Sequence, residues 1–458
     1  MTRCRPPTPF ATARSAAWAG LLASLWFAGS AVAQDAGPRI QPLPSMRERA
    51  DVQQAWLEQR LESVLPQVMR RHGVSMWILS MREYGEDPVF WSIRSPTVLA
   101  ARRRSIYIFH DRGDEVERIA LGGQDMGGLY EIYREQSPWS DTPELVGDEQ
   151  WAQLRQIVEE RDPENIALNI DELHAFSDGL GAGERDALER ALGPYTDRVV
   201  RRPEVAIDYL ATRIPEMLPA YRSLQETVHA LIARGFSNEV ITPGVTSTEE
   251  VRWWLRDRVR EHGMTVWFHP SVSVQRDGQE LSGDEAVIER GDVLWVDFGV
   301  VALGMHTDTQ HLGYVLRDGE TEPPAGIRAC LAASNRMQDL LLGEMIPGRT
   351  GNEVLAATLE AMRREEIEGT VYTHPIGDHG HGAGPLIGRW DDQDGLPGRG
   401  DLPLRPMTWH SIELQASVAI PEWGDARLSC RQEEEAHLDE RGERDWVLRR
   451  QDRFHIVR

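Results

Sequence analysis

The sequence predicts two parts in series: an α/β N-terminal domain, and a larger second half built from a duplicated α/β unit with its site between the halves. Three observations carry this. Short apolar runs alternate with helical stretches up to about residue 200, a Pro-Gly-x-Thr turn recurs 104 residues after its first appearance, and acidic residues stand inside strand-like runs of the second half.

The N-terminal part opens with a helix over about Arg47 to His72. Val52, Trp56, Leu61, Leu65, Val68 and Met69 keep a roughly helical period there, and Gly73 ends it. Val74 to Leu79, Ile106 to Phe109 and Ile166 to Ile170 read as strands, and Glu184 to Leu192 reads as a helix between such runs. No ligand cluster falls here. The domain is expected to cover a site or form a subunit contact, with a break between Arg201-Arg202-Pro203 and Ile214-Pro215.

The second half starts with an amphipathic helix whose Leu218, Tyr221, Leu224, Val228, Leu231 and Ile232 share one face. Ile241-Thr242-Pro243-Gly244-Val245-Thr246 then leads into Glu249-Glu250-Val251, and Ile346-Pro347-Gly348-Arg349-Thr350 into Asn352-Glu353-Val354. Each turn opens a helix, and in the first Ser247 and Glu250 form a capping box. Pro-Gly turns before helices are common singly. Two at corresponding places, each followed by strands bearing acids, predict a duplication.

Asp297 ends the run Val293 to Asp297, bounded by Gly291 and Gly299 and apolar enough to be covered on both faces. A carboxylate there is costly without a cation or a hydrogen-bond partner. Asp308 follows eleven residues later, and a turn at Leu303-Gly304 would return it beside Asp297. Glu413 lies on a strand with Ser411, Gln415 and Ser417 on its polar face and Ile412, Leu414 and Ala416 on the other. His381 stands in Asp378-His379-Gly380-His381-Gly382-Ala383-Gly384-Pro385, where glycines permit close backbone approach. Glu433 falls in a run of three glutamates, and such runs are usually solvated. The two aspartates alone fit a structural pair held by arginines; the histidine turns the reading toward metal.

Four carboxylates and one imidazole make a hard donor set suited to Mn²⁺, Co²⁺ or Zn²⁺. Two such ions about 3.5 to 4 Å apart would make a hydrolytic centre, lowering the pKa of a shared water and polarising an amide carbonyl.

Composition narrows the setting. The 458 residues include 41% hydrophobic ones, enough for two or three domains with ordinary cores. Arg3, Arg5 and Arg14 precede an apolar stretch from Ala16 to Ala31, and Ala31-Val32-Ala33 offers a cleavage site, so residues 1–33 read as a signal peptide and the protein as secreted or periplasmic. An uncleaved anchor is the alternative. Removing residues 1–33 takes away those three arginines and no acid, so the formal charge of -23 becomes -26. A surface so anionic repels nucleic acid, and no later segment is apolar enough to span a membrane. Cys330 and Cys430 are left bridged or free by the sequence.

Val296-Asp297-Phe298-Gly299, Asp308-Thr309, Gly380-His381-Gly382, Ser411-Ile412-Glu413 and Arg431-Gln432-Glu433 together resemble the pita-bread metallopeptidases: aminopeptidase P, prolidase, methionine aminopeptidase and creatinase. The resemblance covers residues 216–458 by motif, and residues 34–215 resemble the creatinase-type N-terminal domain in size and order. It implies an α+β pita-bread catalytic domain with an internal pseudo-twofold repeat, two divalent ions with manganese foremost, short peptide substrates, and a homodimer. Carried over by residue, Asp297 would chelate one ion, Asp308 and Glu433 would bridge, and His381 and Glu413 would complete the second. Glu413 would also accept the proton of the attacking water. Two departures stand out. The family keeps a substrate-facing histidine shortly before the first metal aspartate, and Pro270 to Met305 holds none. It keeps another seven residues after the metal histidine, where counting from His381 reaches Gly388. His379 is the leading replacement, ahead of His269 and His374, which read as ordinary loop residues. The activity implied is an exported dinuclear aminopeptidase, Xaa-Pro type. Its rivals are a catalytically weak or inactive binder of a peptide or small amide, and creatinase-like hydrolysis without metal. The segment Trp390 to Gly400 reads as a loop or lid, and Trp253, Trp254 and Trp267 as core or groove.

Overall fold

The helix expected from Arg47 to His72 runs from Met46 to Arg71 with a π-helical turn at Arg60–Val64. Ser45 and Glu48 close a capping box at its start, and Gly73 ends it with φ +63°. The structure is a computed structural model that describes residues 37–122, 126–133, 149–281 and 286–458. The signal-peptide reading and Cys4 lie outside the described residues. Arg39–Arg458 forms one compact unit.

Six strands make the first sheet: β1 (Met76–Arg82), β2 (Arg104–Asp111), β3 (Val116–Leu121), β4 (Glu131–Tyr133), β5 (Ile166–Leu168) and β6 (Val199–Val200), in the order β4-β3-β2-β1-β5-β6. Three of these match the apolar runs above. Residues 116–121 form a further strand in which Glu117 and Arg118, both half-buried, interrupt the apolar run, while Ile119, Ala120 and Leu121 are buried. The helix Ala182–Leu192 packs Leu188 and Leu192 against Met76, Ile78 and Ile166.

The second sheet has β7 (Ser271–Arg276), β8 (Gln279–Leu281), β9 (Val293–Asp297), β12 (Gln310–Val315), β13 (Gly369–Val371), β14 (His374–Ile376), β15 (Thr408–Ile420), β16 (Ala426–Leu438), β17 (Arg444–Trp446) and β18 (His455–Val457); a small hairpin of β10 (Val301–Ala302) and β11 (Met305–His306) stands apart. Its main order is β13-β15-β16-β12-β9-β7-β8. Read outward from the β16/β12 junction, β16, β15 and β13 on one side mirror β12, β9 and β7 on the other, with β8 added at the edge of the second side. Each side also has its pair of helices: Leu218–Gly235 with Thr248–Glu261, and Ala325–Glu344 with Gly351–Arg364.

The echoed turns open the second helix of each pair. Ser247 and Glu250 form the first capping box, and Thr350 and Glu353 form its counterpart. The duplication is thus present in three dimensions, and the halves meet along β12 and β16.

Each helix pair covers the apolar face of its own strands. Leu224, Val228, Val251 and Leu255 pack on Leu294 and Val296, while Met337, Leu341, Val354 and Leu355 pack on Ile412, Leu414 and Ala416. The polar faces of β9 and β15 are left to a shared cleft. Cys330 and Cys430 form a disulfide, Cα atoms 5.9 Å apart, tying helix Ala325–Glu344 to β16. Among the described residues no helix is long and apolar enough to cross a membrane.

Candidate metal centre

Strand register builds the site. Ser271, Asp297, Gln310, Glu433 and Glu413 are successive cross-strand partners over β7, β9, β12, β16 and β15. Residues in one such row project from the same face. Three carboxylates and one amide therefore stand side by side without help from any loop. Asp308 lies two residues before Gln310, and the hairpin at Leu303 (φ +54°) and Gly304 (φ +72°) returns the chain as the sequence predicted.

One oxygen each of Asp297 and Asp308 is buried with no hydrogen-bond partner. Gln310 donates through Nε2 to Glu413 and, at 2.9 Å, to Glu433. Among the described residues no arginine forms an ion pair with Asp297, Asp308, Glu413 or Glu433; Arg431, whose charge favours the ionised forms of Asp297 and Glu413, is itself paired with Glu280. Burial pushes Asp297, Asp308 and Glu413 well above the usual carboxylate range, and Glu433 beside each adds to this.

The imidazole standing on these carboxylates is that of His374, where the sequence predicted His381. Its Nε2 is 3.1 Å from Glu433 Oε1 and 3.7 Å from Asp308 Oδ2. Its Nδ1 lies 3.0 Å from the carbonyl of Pro375. Donation to that carbonyl places the proton on Nδ1 and leaves the Nε2 lone pair facing the carboxylates, the tautomer a metal requires. His374 reads as a loop residue because Pro375 follows it, yet β14 is paired with β15 through His374 and Ser411. The missed signal was spacing: seven residues after His374 comes His381.

His381 sits beside the cluster. Its ring centroid is 4.8 Å from that of His374, and its ligand atoms group with those of Asp308 and His374 within 4.8 Å. The two other convergent sets are Asp297, Asp308 and Glu433, and His374, Glu413 and Glu433. They share Glu433. Gly388 has φ +77°, and a Cβ there would collide with the carbonyl of Val371, so no histidine fits at that place.

His379, expected near the chemistry, lies elsewhere. It packs on Phe176 at 4.8 Å and stacks with His306 at 6.2 Å, away from the carboxylates. Its neighbour Asp378 anchors the loop: Arg60 at 3.1 Å, Ser92 at 2.6 Å and Arg213 all bond its carboxylate. Burial alone would raise Asp378; the two guanidiniums outweigh it and hold the carboxyl well below its ordinary range. Residues 60 and 92 come from the N-terminal part, which thereby fixes the histidine loop.

The run Glu433-Glu434-Glu435 is fully buried, contrary to the solvated expectation. Alternation divides it: Glu433 faces the cluster, Glu434 the opposite side of the sheet, and Glu435 accepts the Asp308 N–H at 2.7 Å and a bond from Gln225. Trp267 donates to the Thr307 carbonyl at 2.9 Å and lies 5.1 Å from His381. A Cβ on Gly299 or Gly380 would overlap its indole, which accounts for both glycines. Trp253 is half exposed and lines no part of the cluster. The segment Trp390 to Gly400 is pinned, with Asn352 bonding Leu396 and Gln393 bonding Val371. Arg399 at its end donates to Gly382 at 2.9 Å and, among the described residues, has no carboxylate partner.

The fold and the site define a pita-bread protein with an N-terminal α/β domain. Residues 220–431, a little under half the chain, match the model of metallopeptidase family M24. It is similar in structure to an X-Pro aminopeptidase from Thermotoga maritima (17% identity, TM-score 0.60, 85% of this chain and 100% of that one) and an Xaa-Pro dipeptidase from Bacillus anthracis (16%, 0.60, 88% and 100%). It is also similar to the N-terminal domain of the FACT complex subunit SPT16 from chickpea (12%, 0.52, 87% and 96%). No curated protein matches the sequence significantly.

Proposed function

We propose that this protein is an exported, dinuclear metal-dependent aminopeptidase that cleaves short peptides before proline. The observation that carries it is the row of carboxylates capped by His374, with buried oxygens left unpartnered for cations. Asp297, Asp308 and Glu433 would hold one ion, and His374, Glu413 and Glu433 the other. Manganese is the ion expected first, with zinc or cobalt as alternatives. When bound, such a pair supplies Lewis acidity that acidifies a water and polarises the scissile carbonyl.

The chain's own residues do the rest. Glu413 accepts the proton lost by the attacking water and passes it to the leaving nitrogen. His381, held in place by Trp267, donates to the developing oxyanion. Arg399, free of any carboxylate among the described residues, takes the C-terminal carboxylate of a short substrate. Export is supported by the leader sequence and the Cys330–Cys430 disulfide, which oxidising compartments favour.

The test is turnover of Xaa-Pro dipeptides and Xaa-Pro-Xaa tripeptides by the manganese-loaded mature chain beside Asp308→Ala. Hydrolysis lost in the variant is expected; equal background in both overturns the reading. The second reading, a peptide binder without turnover, is favoured by the missing histidine between Pro270 and Met305 and by a fold neighbour named as a complex subunit. It predicts calorimetric binding of the same peptides without cleavage.

A further inference from the structure

On the far side of the sheet, behind the carboxylate row, lies a second cluster. His229 of helix Leu218–Gly235, His311 of β12 and Glu434 of β16 converge there, each at most 3% exposed. A one-residue step along a strand reverses the face, so His311 follows Gln310 and Glu434 follows Glu433, and both turn away from the cleft. Glu434 Oε2 is 3.0 Å from His229 Nε2, and Oε1 is 2.7 Å from His311 Nε2. The Gln451 N–H also reaches Oε1, at 2.9 Å. The two rings stand 4.6 Å apart, and all three ligand atoms fall within 4.8 Å of one another.

We infer that His229, His311 and Glu434 form a mononuclear structural zinc site, separate from the carboxylate cluster. Two imidazole nitrogens and one carboxylate give three protein donors, the set of a two-histidine, one-carboxylate zinc site in which water completes the fourth position. His455 supplies the outer support. Its Nε2 is 3.1 Å from His311 Nδ1, so His311 can donate there and keep its Nε2 lone pair for a metal.

The charge balance points the same way. A buried carboxylate needs compensation, and among the described residues the ion pairs of Glu434 are with these two histidines alone. Both rings are buried with their Nε2 atoms turned to the carboxylate. A divalent cation would supply the missing charge. It would also stitch the helix Leu218–Gly235 to the strands carrying Gln310 and Glu433.

The test uses zinc and the full mature chain. Asp308→Ala and the double variant Asp308→Ala/His229→Gln are each loaded with Zn²⁺, desalted and weighed by native mass spectrometry, and their thermal unfolding is followed with and without zinc. The expected result is one more retained ion per chain in the single variant, with a zinc-dependent rise in Tm that the double variant loses. Equal zinc content and no difference in Tm response overturn the site and leave a network in which both histidines donate to Glu434. Should the double variant fail to fold, cobalt titration of Asp308→Ala decides. A tetrahedral visible band saturating at one equivalent supports the site, and its absence overturns it. Because these readouts do not involve peptide turnover, failure of the peptidase reading leaves them intact.

Discussion

Two buried carboxylate regions lie within one fold, and they are balanced in opposite ways. Asp378 is enclosed by Arg60, Arg213 and Ser92, so its charge is compensated by the protein itself. Asp297, Asp308, Glu413 and Glu433 face one another with a single amide and one imidazole between them. The first arrangement is complete as it stands. The second would be completed by cations, because a buried carboxylate without a partner costs several kcal/mol. Structural and chemical roles are thus separable from the identity of the neighbours alone.

The sharpest way to break this comparison is at Glu413. Glu413→Gln is expected to lower kcat by about 10²- to 10⁴-fold, as loss of a general base does, measured on an Xaa-Pro peptide with metal content checked in parallel. A variant that keeps its ions and its rate would remove Glu413 from the chemistry. On the other region, Asp378→Asn leaves two buried guanidiniums uncompensated. It should destabilise the fold by about 3 to 5 kcal/mol in urea unfolding. A loss below roughly 1 kcal/mol, the range of exposed pairs, would show that the clamp is not what holds the histidine loop.

Acidity separates the two regions further. Asp378 has a depressed folded pKa, so its stabilisation is present above the unfolded value of about 3.9 and lost as pH falls toward the folded one. Asp297, Asp308 and Glu413 have raised folded values. Their contribution in the metal-stripped protein is present below about pH 4 and is lost as pH rises through the folded values. Metal-stripped protein should therefore lose stability as pH rises above the ordinary carboxylate range in thermal unfolding, and added Mn²⁺ should flatten that slope. A flat profile without metal would mean the cluster is not strained by its own charge.

The smallest effect is expected at Gly380→Ala, where the new methyl meets the Trp267 indole. Overpacking of this kind costs about 1 to 3 kcal/mol. Its signature should be a raised KM with little change in unfolding midpoint if the loop yields, and the reverse if Trp267 does.

Much of this was legible in the chain. The duplication was visible in its two Pro-Gly-x-Thr turns, and the placement of Asp297, Asp308 and Glu413 followed from strand period and one turn. Histidine assignment was harder to read, because a glycine-rich loop has no period and three histidines within eight residues compete for one position, and the seven-residue interval from His374 to His381 was its one sequence signal. Only the pairing of β14 with β15 separates His374 from the others. The burial of Glu433 to Glu435 was equally hidden: a glutamate run looks solvated unless sheets and helices enclose it from both sides.

The disulfide has a bearing on how the protein must be made. Cys330 and Cys430 close a loop with a sequence separation of 100 residues, which on a chain-entropy estimate is worth about 4.7 kcal/mol. One end sits three residues before Glu433, on the strand that carries this carboxylate and its two acidic neighbours. Material expressed in a reducing cytoplasm would lack that tether, and weak metal retention in such a preparation would reflect the host compartment before it reflected the enzyme.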